Sequence, residues 1–321
     1  MPKRSLEKLV HHLMLLALIA AGSASGEEAC RIELVVLGTG QDAGAPQIGN
    51  REDPAWSDSS LGLTATSIAL VDHVGGKRFL FEATPHITDQ LQLLDSLAPV
   101  ESAGLGVDGV LLTHAHIGHY TGLMFFGREA AGAKNVPVYA MPRFREYLEN
   151  NGPWSQLVSF ENIALVELAD RESRRISEGI EVTPHRVPHR DEYSETVGFL
   201  IEIPSARIFF LPDIDSWGEW VRDYDVRIED IVQSVDYAFL DATFFDNNEL
   251  PGRDMSLIPH PRVKQTMDRL GELPDDVRRR VHFIHYNHTN PIRFPASAES
   301  AEVRKRGFNI ARAGDRHCLS R

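Results

Sequence analysis

Apolar positions along this chain fall into short blocks separated by polar punctuation. RIELVVLG at 31–38, TSIALVDH at 66–73 and KRFLFEAT at 77–84 are rich in β-branched and aromatic residues and close on turn formers. Such runs predict strands, the last two forming a hairpin around VGG. HITDQLQLLDSL at 86–97 has helical apolar spacing, with Thr88 as its N-cap. DGVLLTH then reads as a buried strand, HYTGLMFFGREAAG as a helix, VPVYAM as a short strand and PRFREYLENNG as a helix stopped by glycine. Four more strands are predicted in IEVTPHRVPH, TVGFLIEI, ARIFFLPDID and DYAFLDATFF. A helix over PRVKQTMDRLG ends at Gly271, and RVHFIHYNH is a last strand and loop. Strands and helices interleave throughout, which predicts an α/β class. No fixed-period repeat or long linker interrupts them, so one domain is expected over 27–321.

The first residues break the pattern. MPKRSLEK is basic, LMLLALIAA at 13–21 is apolar, and GSASG at 22–26 supplies small residues. That order predicts a signal peptide over 1–26, cleaved near Ala24 or Gly26, and a periplasmic or secreted protein. The apolar run is shorter than the roughly 20 residues that span a bilayer, and no stable membrane span is expected after cleavage. Two cysteines, Cys30 and Cys318, stand at opposite ends of the mature chain. In an oxidising compartment they are expected to pair.

Charge narrows the partners. The formal net charge of -13 opposes binding to a polyanion, which depends on Lys and Arg neutralising phosphates. A small-molecule substrate is expected instead of nucleic acid. The glycine-rich loop GTGQDAGAPQIGN at 38–50 is spaced G-x-G-x-x-x-G, with Pro46 where a helix should open. It therefore fails as a dinucleotide fingerprint and either floors a site or simply turns.

Chemistry concentrates in VLLTHAHIGHYTGL at 110–123, where His114, His116 and His119 follow an apolar run. In an extended strand His114 and His116 share a face, and neutral imidazole is a frequent metal ligand. Strand-end partners recur further on: His189 in RVPHRDEY, Asp213 and Asp215 in FFLPDID, and His285 and His288 in HFIHYNHTNP. Ligand sites in α/β folds gather at such strand ends. Three residues are left open at this stage. His260 in LIPHP either lines the pocket or is held between prolines; Asp241 either orients a ligand or caps a turn; Asp215 is either functional or solvated. His185 is read either as a residue supporting the ligands from behind or as a surface or packed histidine, and Trp217 and Trp220 as packing residues in preference to substrate stacking.

THAHIGHYTGL resembles the H-x-H-x-D-H motif of the metallo-β-lactamase superfamily. FLFEATP is similar to its first acidic strand end, with Glu82 in the acidic place, and LDATFF to a segment of ribonuclease Z relatives. LGTGQDAGAPQIGN and HYNHTNP resemble the pyrroloquinoline quinone biosynthesis protein B branch. The resemblance implies a four-layer sandwich, αβ/βα, with two central mixed sheets and metals at one edge. By carry-over, His114, His116 and His189 hold a first metal, His119 and His285 a second, and Asp213 bridges them. Asp213 and His285 become the catalytic candidates, and Zn2+ the expected ion, with Mn2+ or Fe2+ as alternatives. The family's aspartate falls on Gly118, which predicts a weaker second position, completed by a neighbour such as His288 or restored by Gly118→Asp. Three functions follow: a hydrolase using metal-activated water on a small phosphodiester or ester-like substrate, a metal-binding protein of quinone-cofactor biosynthesis, and a non-catalytic relative.

Overall fold

The computed structural model describes residues 29–101 and 104–321; the leader predicted over 1–26 lies outside them. In chain order the strands are β1 Ile32–Gly38, β2 Ser67–Asp72, β3 Lys77–Phe81, β4 Gly109–Leu111, β5 Val136–Ala140, β6 Ile163–Glu167, β7 Arg174–Ser177, β8 Ile180–Arg186, β9 Val197–Ile203, β10 Ala206–Leu211, β11 Tyr237–Asp241, β12 Val281–Ile284, β13 Asn309–Ile310 and β14 Arg316–Ser320. They form two seven-stranded sheets, ordered β14-β1-β2-β3-β4-β5-β6 and β13-β12-β11-β10-β9-β8-β7. Both are mixed. β14, β1, β2 and β3 pair antiparallel, then β3 to β6 parallel. β7 to β10 pair antiparallel, then β10 to β13 parallel.

The continuous apolar runs are explained by coverage on both faces. In β1, Leu34 and Val36 face the second sheet, while Val35 and Leu37 face the outer helices. In β10, Ile208 and Phe210 point inward, and Phe209 and Leu211 outward. Helices Ile87–Leu97, Pro142–Asn150 and Trp154–Ser159 cover the first sheet. Helices Trp217–Tyr224, Ile228–Ser234 and Val263–Arg269 cover the second. The result is the expected four-layer αβ/βα sandwich. Between the sheets, Phe81 meets Phe199 and Phe210 edge-on at 5.8 and 6.0 Å, a buried contact whose truncation to alanine costs about 3–5 kcal/mol.

Two local expectations give way. Thr88 is not a cap: the helix begins at Ile87, with His86 as N-cap and no side-chain capping bond. HYTGLMFFGREAAG is not one helix. A short helix, Ile117–Tyr120, passes into a 3-10 segment, Thr121–Phe126, that stops before Gly127. There Gly122 lies against the Thr84 carbonyl, where a Cβ would come within 2.0 Å.

Cys30 and Cys318 are joined, with Cα atoms 5.7 Å apart. The antiparallel pairing of β1 with β14 brings the two ends together.

Candidate metal centre

Five strands stop at the same edge, and each delivers a polar side chain just beyond its end. β3 is followed by Glu82, β4 by Thr113 and His114, β8 by His189, β10 by Asp213, and β12 by His285. Asp241 is the last residue of β11. His116 is the N-cap of the short helix that carries His119. Four of the eight non-glycine residues with positive φ among the described residues lie here: Asp42 (43°), Glu82 (82°), His260 (80°) and His285 (63°). Backbone held in such sparsely populated conformations clusters at functional sites.

Hydrogen bonding turns the histidines inward. Thr113 Oγ1 donates its one proton to Glu82 Oε1 at 2.5 Å, so it accepts from His114 Nδ1 at 2.9 Å. That leaves His114 Nε2 with a free lone pair. His189 Nδ1 donates to Asp215 Oδ1 at 2.7 Å, and His116 Nε2 to Glu192 Oε2 at 3.0 Å. His285 Nδ1 lies 3.2 Å from Thr243 Oγ1, whose own proton goes to Asp241 Oδ1 at 2.7 Å. His119 Nδ1 faces Glu82 Oε1 at 3.3 Å. Metal-binding histidines are oriented by such partners on the far ring nitrogen.

The inward nitrogens converge on one oxygen. Asp213 Oδ2 lies 3.4 Å from His114 Nε2, 3.3 Å from His189 Nε2, and 3.9 Å from both His119 Nε2 and His285 Nε2. His116 Nδ1 lies 2.9 Å from His114 Nε2 and 3.1 Å from His189 Nε2. Donors on a tetrahedron of about 2.05 Å bonds sit roughly 3.3 Å apart, so this spacing fits a shared ion. His119 Nε2 and His285 Nε2 are buried with no hydrogen-bond partner, an arrangement that a cation relieves. Two clusters result, His114–His116–His189–Asp213 and His119–Asp213–His285, each with ligand atoms within 4.8 Å of one another.

A third cluster, Asp213–Asp241–His260, settles the residues left open. His260 Nδ1 lies 2.9 Å from Asp241 Oδ2 and 3.1 Å from Asp213 Oδ1. Burial opposes protonation of His260, but the charges of Asp241 and Asp213 hold its imidazole well above the usual range. Burial likewise opposes ionisation of Asp213, yet His189, His260 and His285 hold its carboxyl well below the usual range. His114 and His285 are pushed well below theirs, first by burial, which leaves them neutral as ligands must be. Asp241 fixes the loop after β10 by accepting from the Ile214 and Thr243 amides. Asp215 is not merely solvated, since it orients His189.

Two expectations about the second cluster are corrected. His288 does not complete it; its carbonyl accepts from Arg293 and its Nδ1 is buried and unpartnered. Gly118→Asp has no room for its side chain, because a Cβ there would lie 2.5 Å from Asp42 Cα and 2.9 Å from Asp42 O. His185 packs against Phe209, which is the packed one of its readings. Glu192 and Thr243 were missed there. A single exposed glutamate and a threonine inside an apolar strand end carry no spacing signal. Beside the centre a cleft of about 430 Å³ is lined by Asp215, His260, Asn247, Arg262 and Gln265 among others.

Two stacked mixed sheets with a histidine–carboxylate edge place the chain in a class, and sequence comparison agrees: residues 77–286 match the Beta-lactamase superfamily domain, and the chain belongs to that family. Within it, the chain is similar over nearly all its length to coenzyme PQQ synthesis protein B. It is 26% identical to that of Methylorubrum extorquens strain PA1 over 312 residues, spanning 88% of this chain and 98% of the relative. With that of Rhizobium meliloti it shares 27% over 313 residues, spanning 88% and 96%. The fold is similar to a Zn2+-bound PqqB from Methylobacterium extorquens, with TM-score 0.73 and 22% identity over 89% of this chain and 99% of that one. A diphosphatase of the PhnP family also shares the fold, with TM-score 0.61 and 19% identity over 89% and 96%.

Proposed function

We propose that the protein is a metal-dependent hydrolase of a small phosphodiester or ester-like substrate, periplasmic or secreted. The observation that carries this reading is the division of labour at Asp213. One oxygen faces the inward nitrogens of four histidines, and the other faces His260 Nδ1 at 3.1 Å. A carrier of metal needs only the first half. Hydrolysis also needs a proton donor for the leaving group, and His260, whose hold on a proton is raised by its two carboxylate neighbours, stands at the wall of the cleft.

His114, His116, His189 and Asp213 would hold a first Zn2+-like ion, and His119, His285 and Asp213 a second. Such an ion makes hydroxide available near neutral pH and polarises a carbonyl or phosphoryl oxygen. Asp213 Oδ1 is placed to accept a proton from a nucleophile beside it, and His260 to give one to the leaving group, after which the proton held on Asp213 restores His260. Asp241 orients His260, and Asn247 and Gln265 place polar side chains at the cleft. The cleft volume suits a small molecule better than a polymer. The disulfide supports export, since such bonds persist in oxidising compartments.

The test is a panel of chromogenic phosphodiesters, esters and β-lactams offered to chelated and Zn2+- or Mn2+-loaded protein. Turnover of at least one class that appears only on loading is expected. A second reading, a part in quinone-cofactor biosynthesis, is favoured by similarity spanning 98% of a PQQ synthesis protein B. Restoring quinone production to a strain lacking that protein, with no turnover in the panel, would decide for it.

A further inference from the structure

The second cluster is short of negative charge. His119 and His285 offer neutral nitrogens, and their single carboxylate oxygen, Asp213 Oδ2, is shared with the first cluster. No carboxylate can come from Gly118, but the space a side chain would take there is not empty. The backbone of Asp42 fills it, 2.5 Å from the Cβ position.

The loop that brings Asp42 there is fastened to the strand end carrying His285. Gln41 N–H donates to Tyr286 O at 3.1 Å, and Tyr286 N–H to Thr39 O at 2.9 Å. Asn287 Nδ2 donates to Gln41 Oε1. Asp42 is therefore clamped between the residue before His119 and the residues after His285. Its φ of 43° lies in the left-handed region that Asp and Asn enter more readily than most residues. Among the described residues its carboxylate has no hydrogen-bond or ion-pair partner.

We propose that Asp42 is the anionic partner of the second metal position, a carboxylate supplied by the first loop and admitted by the missing side chain at Gly118. The proposal rests on reading the centre as two metal positions. Asp42 is not among the donor atoms that meet within 4.8 Å, so its part is to balance the ion's charge from outside that ring. This makes sense of a glycine inside a ligand motif: any side chain there would push the loop, and Asp42 with it, off the site.

The experiment is calorimetric titration of metal-free protein with Zn2+, for the wild type and for Asp42→Asn. Asparagine keeps the shape and tolerates the backbone angle, and Asp42→Gly serves as a second variant compatible with positive φ. The wild type is expected to take two ions. Both variants should bind the first unchanged and the second roughly 10-fold or more weakly, the scale of an outer-sphere partner. Two ions bound with wild-type affinity by both variants would overturn the role of Asp42 alone. A wild type that binds one ion would overturn the two-position reading, and the role of Asp42 with it.

Discussion

Asp213 carries one charge for three clusters, so its replacement separates chemistry from folding. Asp213→Asn retains volume but loses the negative charge and one of the two oxygens, so it cannot serve both the histidines and His260. Turnover is expected to fall by about 100-fold or more, with a far smaller effect on thermal unfolding of the metal-free protein. Equal turnover in a fully metallated variant would remove its catalytic role. Asp215 acts one step out, through the Nδ1 of His189. Asp215→Asn should weaken retention of the first ion by roughly 10- to 100-fold, read by competition with a chelator; unchanged retention would make it only a surface acid. At this scale the sequence was informative where residues sit close together. His114, His116 and His119 stand out because the spacing itself is the signal. His189, Asp213 and His285 became legible because each ends a strand. His260 did not, since it reaches the centre from a loop whose path depends on Arg262 bonding the carbonyls of Pro259 and His260, and no local pattern encodes that.

The strands with apolar runs were readable because both faces are covered. β14 was not: its sequence RHCLS holds a single large apolar residue and no alternation, and it is a strand because β1 offers it an edge. The short helix–3-10 element after His116 was overread as one long helix, because apolar spacing cannot reveal that Gly122 presses on the Thr84 carbonyl. Pairing of elements also places His282 of β12 against Phe239 of β11 at 5.1 Å and His317 of β14 at 5.0 Å. Burial, with His317 adding to it, lowers His282 to about 3. The unfolded chain takes up this proton below about pH 6.5, whereas the folded chain does not until about pH 3. Stability is therefore lost as pH falls through that window. Between pH 7.5 and 5.5 the loss from this group is about 1 kcal/mol. His282→Phe should remove that part of the acid sensitivity, measured by urea unfolding at the two pH values. An unchanged acid slope would show that His282 titrates freely when folded.

Over the whole molecule, the pairing of Cys30 with Cys318 closes a loop of 288 residues. The chain-entropy account gives it an upper value of about 6 kcal/mol. Alkylation of exported protein without reductant is expected to label neither cysteine, and Cys318→Ser to lower the unfolding temperature by several degrees. Labelling of both would show the ends unlinked. The four-layer architecture exists to carry strand ends to one edge, and the central claim is that this edge hydrolyses a substrate with metal. The most direct measurement is hydrolysis of a chromogenic phosphodiester by one preparation in three states: chelated, reloaded with Zn2+ or Mn2+, and reloaded as Asp213→Asn. Turnover confined to the reloaded wild type is the predicted result. A reloaded wild type that retains its metal, yet hydrolyses neither this substrate nor any ester or β-lactam tested beside it, would contradict the account.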